Sequence, residues 1–158
     1  MTTARLDRVL TFGDQLSFLI PHEWIEGEEE PDHYLYHLPN ADSGWLRVSL
    51  VTLKGPGKAS KEHLRELLAE RAQKERGDFY EVGDNIVAAW EQLSEENGVP
   101  ICNHWWAVGH SYGPDLGHEA LFSYTVLGDR REDTETRGTV GLLAKLVADA
   151  TFAAPKIA

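Results

Sequence analysis

Ser111 lies in Gly109-His110-Ser111-Tyr112-Gly113, which has the G-x-S-x-G spacing of the nucleophile elbow of serine hydrolases. That chemistry needs a sharp strand-to-helix turn under the serine, a later acid and histidine, and an upstream oxyanion segment. Here Pro114-Asp115-Leu116-Gly117 follows, which is a turn and not the start of a helix. His118 is the one histidine after the serine, and a strand begins there. No His-Gly-Gly segment precedes it. The glycines therefore read as hairpin residues, and no catalytic residue is assigned.

His104, His110 and His118 are the candidate metal ligands. With the loop centred on Asp115, the hairpin pairs Tyr112 with His118 and His110 with Ala120. His110 and His118 then become diagonal neighbours on one face, roughly 7–8 Å apart. Cys102 and His104 share that face by the period of two. Two imidazoles and a carboxylate could hold a transition metal, although no H-x-x-x-H or C-x-x-C spacing occurs. Cys102 and His104 also raise a thiol nucleophile. Two positions apart on a strand they need not touch, so Cys102 reads as a buried thiol.

The aromatic residues suggest binding instead. Trp105 and Trp106 are adjacent on a strand and so face opposite sides of the sheet. Trp106, Phe122 and Tyr124 fall on one face, and Trp105, Leu121 and Ser123 on the other. One face must be core; the other is covered or is an aromatic docking patch. Trp106, Phe122 and Tyr124, with Trp45 and Trp90, are the candidate docking residues. Glu28, Glu29 and Glu30, within the acidic run Glu23 to Asp32, form a second candidate for a basic partner.

These residues sit in a chain of 158 residues, 42% hydrophobic and 26% charged. That is one domain's length, here residues 1–158, and enough to bury a core without staples. The net charge of −11 repels phosphate backbones and anionic headgroups, which argues against nucleic acid and membrane as partners. A lone cysteine excludes an intrachain disulfide. No signal-peptide pattern or roughly 18-residue apolar span appears, so a cytoplasmic location is expected. No motif calls for a cofactor.

The positioning elements follow from period and punctuation. Leu16 to Ile20 is an apolar strand stopped by Pro21. His33 to Leu38 and the alternating run Trp45 to Leu53 form a hairpin across a turn-rich segment. Ser60 caps a helix whose stripe is Leu64, Leu67, Leu68 and Ala72, ended by Gly77. Strands at Phe79–Val82, Ile86–Leu93, Ile101–Ser111 and His118–Leu127 form a meander, with Asn97-Gly98 as a hairpin signal. Val140, Leu143, Leu146, Val147 and Ala150 predict a last helix, weakened by Gly138 and Gly141. Helices segregated over an antiparallel sheet of about six strands mean an α+β class.

This order, with Phe18-Leu19-Ile20-Pro21-His22-Glu23-Trp24 near the start and an apolar terminal helix ending near Phe152, resembles the PsbP-like fold. That superfamily includes PsbP, a Ran-binding import factor and the Eag-type chaperones. The resemblance implies a sheet sandwiched by two main helices. It also implies a protein-binding module of the adaptor, chaperone or immunity type. A small metal-dependent or hydrolytic enzyme built on His104, His110 and His118, and a structural homo-oligomer, are the alternatives.

Overall fold

The computed structural model describes residues 5–27, 32–39 and 43–155. The strands are β1 (Leu6–Thr11), β2 (Leu16–Pro21), β3 (Ile25–Glu26), β4 (His33–His37), β5 (Trp45–Lys54), β6 (Asp78–Val82), β7 (Asn85–Glu96), β8 (Val99–Gly113), β9 (Leu116–Leu127) and β10 (Thr151–Phe152). The helices are α1 (Lys61–Lys74) and α2 (Thr134–Ala148), with a 3-10 turn at Gly128–Arg130. Seven strands form one antiparallel sheet in the order β3-β4-β5-β9-β8-β7-β6. The other three make a small sheet, β1-β2-β10. The fold is thus α+β, with α1 on one face of the large sheet and the small sheet and α2 on the other.

The apolar run Leu16–Ile20 is a strand, as expected; it pairs with β1 and β10 in the small sheet and turns Leu16, Phe18 and Ile20 inward. Phe18 packs edge-on to Phe122 and Tyr36 at 5.2 and 5.8 Å between centroids. Burying such a side chain contributes about 2–3 kcal/mol. Trp24 follows Pro21 through a tight turn, its N–H donating to the Pro21 carbonyl at 3.0 Å. It then stacks on Tyr124 at 5.9 Å. The Pro-x-x-Trp entry is therefore a device for closing one end of the core.

Helix α1 begins as the sequence predicts: the His63 N–H donates to Ser60 Oγ at 3.1 Å. Its end differs. Arg76, not Gly77, takes the left-handed conformation, with φ 58°. Gly77 is required for another reason. A Cβ there would collide with the Ala89 carbonyl and the Trp90 side chain on β7. Asn97 and Gly98 both have positive φ, 52° and 81°, as a two-residue hairpin turn between β7 and β8 demands. Helix α2 starts at Thr134, earlier than its apolar stripe suggests.

The β8–β9 register differs from expectation by two residues. His110 faces His118 directly, and Trp106 faces Phe122. The turn is centred between Pro114 and Asp115 rather than on Asp115, which accounts for one residue, and a bulge between Ser111 and Gly113 accounts for the other. A shift of two leaves every side chain on its expected face.

The two glycine types predict opposite outcomes. A Cβ at Gly138 in α2 meets nothing within 4 Å, so Gly138→Ala gains up to about 1 kcal/mol from helix propensity. Gly77→Ala loses about 1–3 kcal/mol through overpacking. Urea unfolding of the two variants checks both signs.

Candidate functional site

Strand β8 is central to the sheet and carries the candidate residues on both faces. On the face toward α2, Trp106, Phe122 and Tyr124 are 3%, 0% and 6% exposed. They were expected as a possible docking patch, but they are core, roofed by β2 and α2. Trp90 is also nearly covered, stacked on Trp105 at 6.1 Å with the Arg71 guanidinium 5.1 Å above it. Glu28, Glu29 and Glu30 lie outside the described residues. Part of the acidic run expected as a loop is ordered as edge strand β3, paired to β4 through Ile25–His37 and Glu26–Tyr36.

Trp45 is different. It lies half-buried on the opposite face, stacked on His37 at 4.7 Å. Helix α1 packs chiefly on β6, β7 and β8. It leaves uncovered the part of this face formed by β4, the start of β5 and the end of β9. Two clefts occupy that area. One, of about 300 Å³, is lined by Leu35, Trp45, Arg47, Ile101, Thr125 and Leu127 among others. The second, of about 250 Å³, lies between His33, Arg47, Ser49, Trp105 and Ser123. Arg47 lines both. Polar pairs set the floor: the Trp105 indole N–H donates to Gln92 Oε1 at 3.1 Å, and the Thr125 hydroxyl donates to Asn103 Oδ1 at 2.5 Å. The sequence reading placed Trp105 on this face without naming it a site and passed over Arg47. The alternation Trp45, Arg47, Ser49 carried the signal, since a polar face that no helix covers is written as such.

The three histidines do not meet in one place: His110 and His118 face each other at one end of β8, and His104 lies at the other. His104 and His110 lie six positions apart on β8, roughly 20 Å at the rise of a strand. At one end, His110 Nδ1 meets Asn85 Oδ1 at 2.9 Å, and the His110 ring stacks on Phe152 at 5.1 Å. His118 Nδ1 meets the Tyr112 hydroxyl at 2.7 Å. His118 is fully buried, and its Nε2 has no hydrogen-bond partner among the described residues. Asn85 completes this cluster by donating to the Ala148 and Ala150 carbonyls at 2.9 and 2.8 Å, which ties the end of α2 to the sheet. The cluster is a structural junction. Ser111 stands beside it without a base: its hydroxyl donates to the Gly113 carbonyl and accepts from the Gly113 N–H. The elbow motif is a bulge.

At the other end, Cys102 and His104 do meet, contrary to expectation. Cys102 Sγ lies 3.7 Å from His104 Nε2 and 3.4 Å from Glu91 Oε1. Burial first, and then the Glu91 carboxylate, push the Cys102 thiol up to about 12. A thiol so protonated is not a nucleophile near neutrality. Glu91 was absent from the sequence reading. It stands directly opposite His104 across the β7–β8 ladder.

No known family profile and no curated protein matches the chain. Solved structures do. A protein of Bacteroides thetaiotaomicron VPI-5482 superposes with a TM-score of 0.60 at 19% identity over 94% of this chain. The chain spans about half, 48%, of that protein's length. LpqN, involved in cell envelope biogenesis of Mycobacterium tuberculosis, gives 0.60 at 12% identity, covering 95% of this chain and 92% of its own. The Saccharomyces cerevisiae Ran-binding protein Mog1p gives 0.57 at 12% identity, covering 95% and 96%.

The junction histidines predict a pH dependence. Burial lowers both affinities for a proton; the charge of His110 adds to this at His118, while Asp84 and Lys61 act oppositely on His110. A histidine depressed in the fold binds its proton more readily once unfolded. Its contribution to stability is therefore full above about pH 6.5 and is lost as pH falls from there toward the depressed value. Urea midpoints at about pH 7.5 and about pH 5.5 should fall less in His118→Gln than in the wild type; equal losses would remove His118 from the account. The core, the two-sided sheet and these superpositions show that the chain shares the fold of LpqN and Mog1p, which is consistent with the PsbP-like resemblance.

Proposed function

We propose that this chain is a protein-binding module, and that the partner docks on the open part of the large sheet, around Trp45, Arg47 and Trp105. The observation that carries this reading is the half-face beside α1 that no described helix covers, where Trp45, Arg47 and Trp105 line two clefts together with the hydroxyls of Ser49, Ser123 and Thr125. Trp and Arg dominate binding energy where they are desolvated by a partner. The polar floor supplies directional hydrogen bonds without making the free surface greasy. The fold-sharing Ran-binding protein Mog1p supports a binding role for the fold. The net charge of −11 disfavours a nucleic-acid occupant.

The test uses the tagged chain, Trp105→Ala, Arg47→Glu and Trp106→Ala to capture proteins from native lysate, followed by affinity measurement on whatever is retained. Loss of Trp105 or Arg47 should weaken the captured complex by about 30-fold or more, the size of a hot spot, while the fold is kept. Trp106→Ala is a stability variant, because it empties the core and costs about 3–5 kcal/mol. A partner held equally by wild type, Trp105→Ala and Arg47→Glu would move the docking site off this face.

A further inference from the structure

We infer that Glu91, Cys102 and His104 form a binding site for a zinc-class divalent ion, with a fourth coordination position open to the cleft under α2. The site is on the face of the sheet opposite Trp105 and Arg47, so it stands or falls independently of the docking surface.

Geometry carries the inference. A tetrahedral zinc ion holds sulfur at about 2.3 Å and nitrogen or oxygen at about 2.0–2.2 Å. Ligand atoms on such an ion are therefore about 3.3–3.6 Å from one another. Here the Sγ to Nε2 and Sγ to Oε1 separations are 3.7 and 3.4 Å. One ligand atom from each of the three residues can be chosen so that all lie within 4.8 Å. The two edges that meet at Cys102 Sγ already have the spacing of a tetrahedron face, and the third, between His104 and Glu91, lies within 4.8 Å and has to shorten as the ion binds.

The donor set selects the ion. One thiolate, one imidazole and one carboxylate suit a borderline metal. Calcium and magnesium demand oxygen shells that this site does not offer. On binding, the Cys102 S–H bond is replaced by a sulfur–metal bond and the proton leaves to solvent.

Access and support are also in place. A cleft of about 330 Å³ opens in front of Glu91 and His104, bounded by Arg131, Glu132, Arg137, Val140 and Gly141. At Gly141 an added Cβ would meet nothing within 4 Å, so α2 does not block the approach. Arg131 Nε lies 3.5 Å from Glu91 Oε1 and 3.2 Å from Glu132 Oε1. Glu132 also pairs with Arg137 at 2.6 Å, so it partly offsets two guanidiniums near the ion, and Arg131 restrains the Glu91 carboxylate.

The experiment takes chelator-stripped full chain, titrated with zinc chloride by calorimetry and with cobalt(II) by absorption. One zinc per chain is expected, together with a near-ultraviolet thiolate-to-cobalt band and the visible bands of four-coordinate cobalt. His104→Gln and Glu91→Gln should each weaken zinc by about 10–100-fold or more. Cys102→Ser should abolish the near-ultraviolet band. His110→Gln, at the far end of β8, should leave binding unchanged. Glu91 is solvent-exposed, so Glu91→Gln keeps the test decisive should the other two variants fold poorly. Absence of one-to-one binding, zinc affinity unchanged in either Gln variant, or a cobalt spectrum without a thiolate band would overturn the assignment.

Discussion

The pleat of β8 is the constraint on which the rest depends. Successive side chains on a strand point to opposite faces, and β8 crosses the centre of the sheet with β7 and β9 on either side. Cys102, His104, Trp106, Val108 and His110 must share one face, and Asn103, Trp105 and Ala107 the other. The first face is closed by α2 and the small sheet. The second is covered by α1 over only part of its width. A one-residue slip would put Trp106 into water and Asn103 into the core, so the register is strongly held.

This constraint explains what was legible in the sequence. Alternation assigned Trp105 and Trp106 to opposite faces, and that survives because the actual register error was two residues. Half of the difference comes from a turn centred between Pro114 and Asp115 and half from the bulge at Ser111–Gly113, which a turn-centred count does not see. Ser60 as a cap and Asn97-Gly98 as a hairpin turn were readable because each satisfies a local backbone demand. Which face would be roofed was not readable, because the roof comes from residues far away in sequence. The hairpin β1–β2 brings Phe18 over Phe122, and nothing near Phe122 announces it. The candidate patch of Trp106, Phe122 and Tyr124 was therefore placed on the wrong side of the question: large aromatics on a common face are what a core needs as much as what an interface needs.

Glu91 was within reach of the sequence and was missed. A two-residue turn at Asn97-Gly98 pairs Glu96 with Val99. Counting back from there places Glu91 opposite His104 and diagonal to Cys102. As neighbours on one strand, Cys102 and His104 have backbones about 6.5–7 Å apart, and it is the partner strand that brings a third donor beside them. Cross-strand neighbours, rather than positions two apart on one strand, are the natural unit for building sites on antiparallel sheets.

The two ends of β8 also show how differently a sheet can use polar residues. At the His110–His118 end, Asn85 donates its amide hydrogens to the carbonyl of Ala148, the last residue of α2, and to that of Ala150 two residues on, and its oxygen meets His110. Such a group fixes where the helix stops, and its removal would orphan buried backbone acceptors. At the Cys102–His104 end the side chains meet one another rather than the backbone. The backbone there is already satisfied by the β7–β8–β9 ladders, so the fold asks nothing of Glu91, Cys102 and His104 as polar groups. A buried thiol facing a carboxylate and an imidazole is not needed for packing, since a valine would fill the Cys102 site without its raised thiol pKa. In metal domains that fold only with their ion, ligands sit on loops the ion must organise. Here the ligand atoms are held by strands ordered for other reasons, so any ion that binds meets a preformed site.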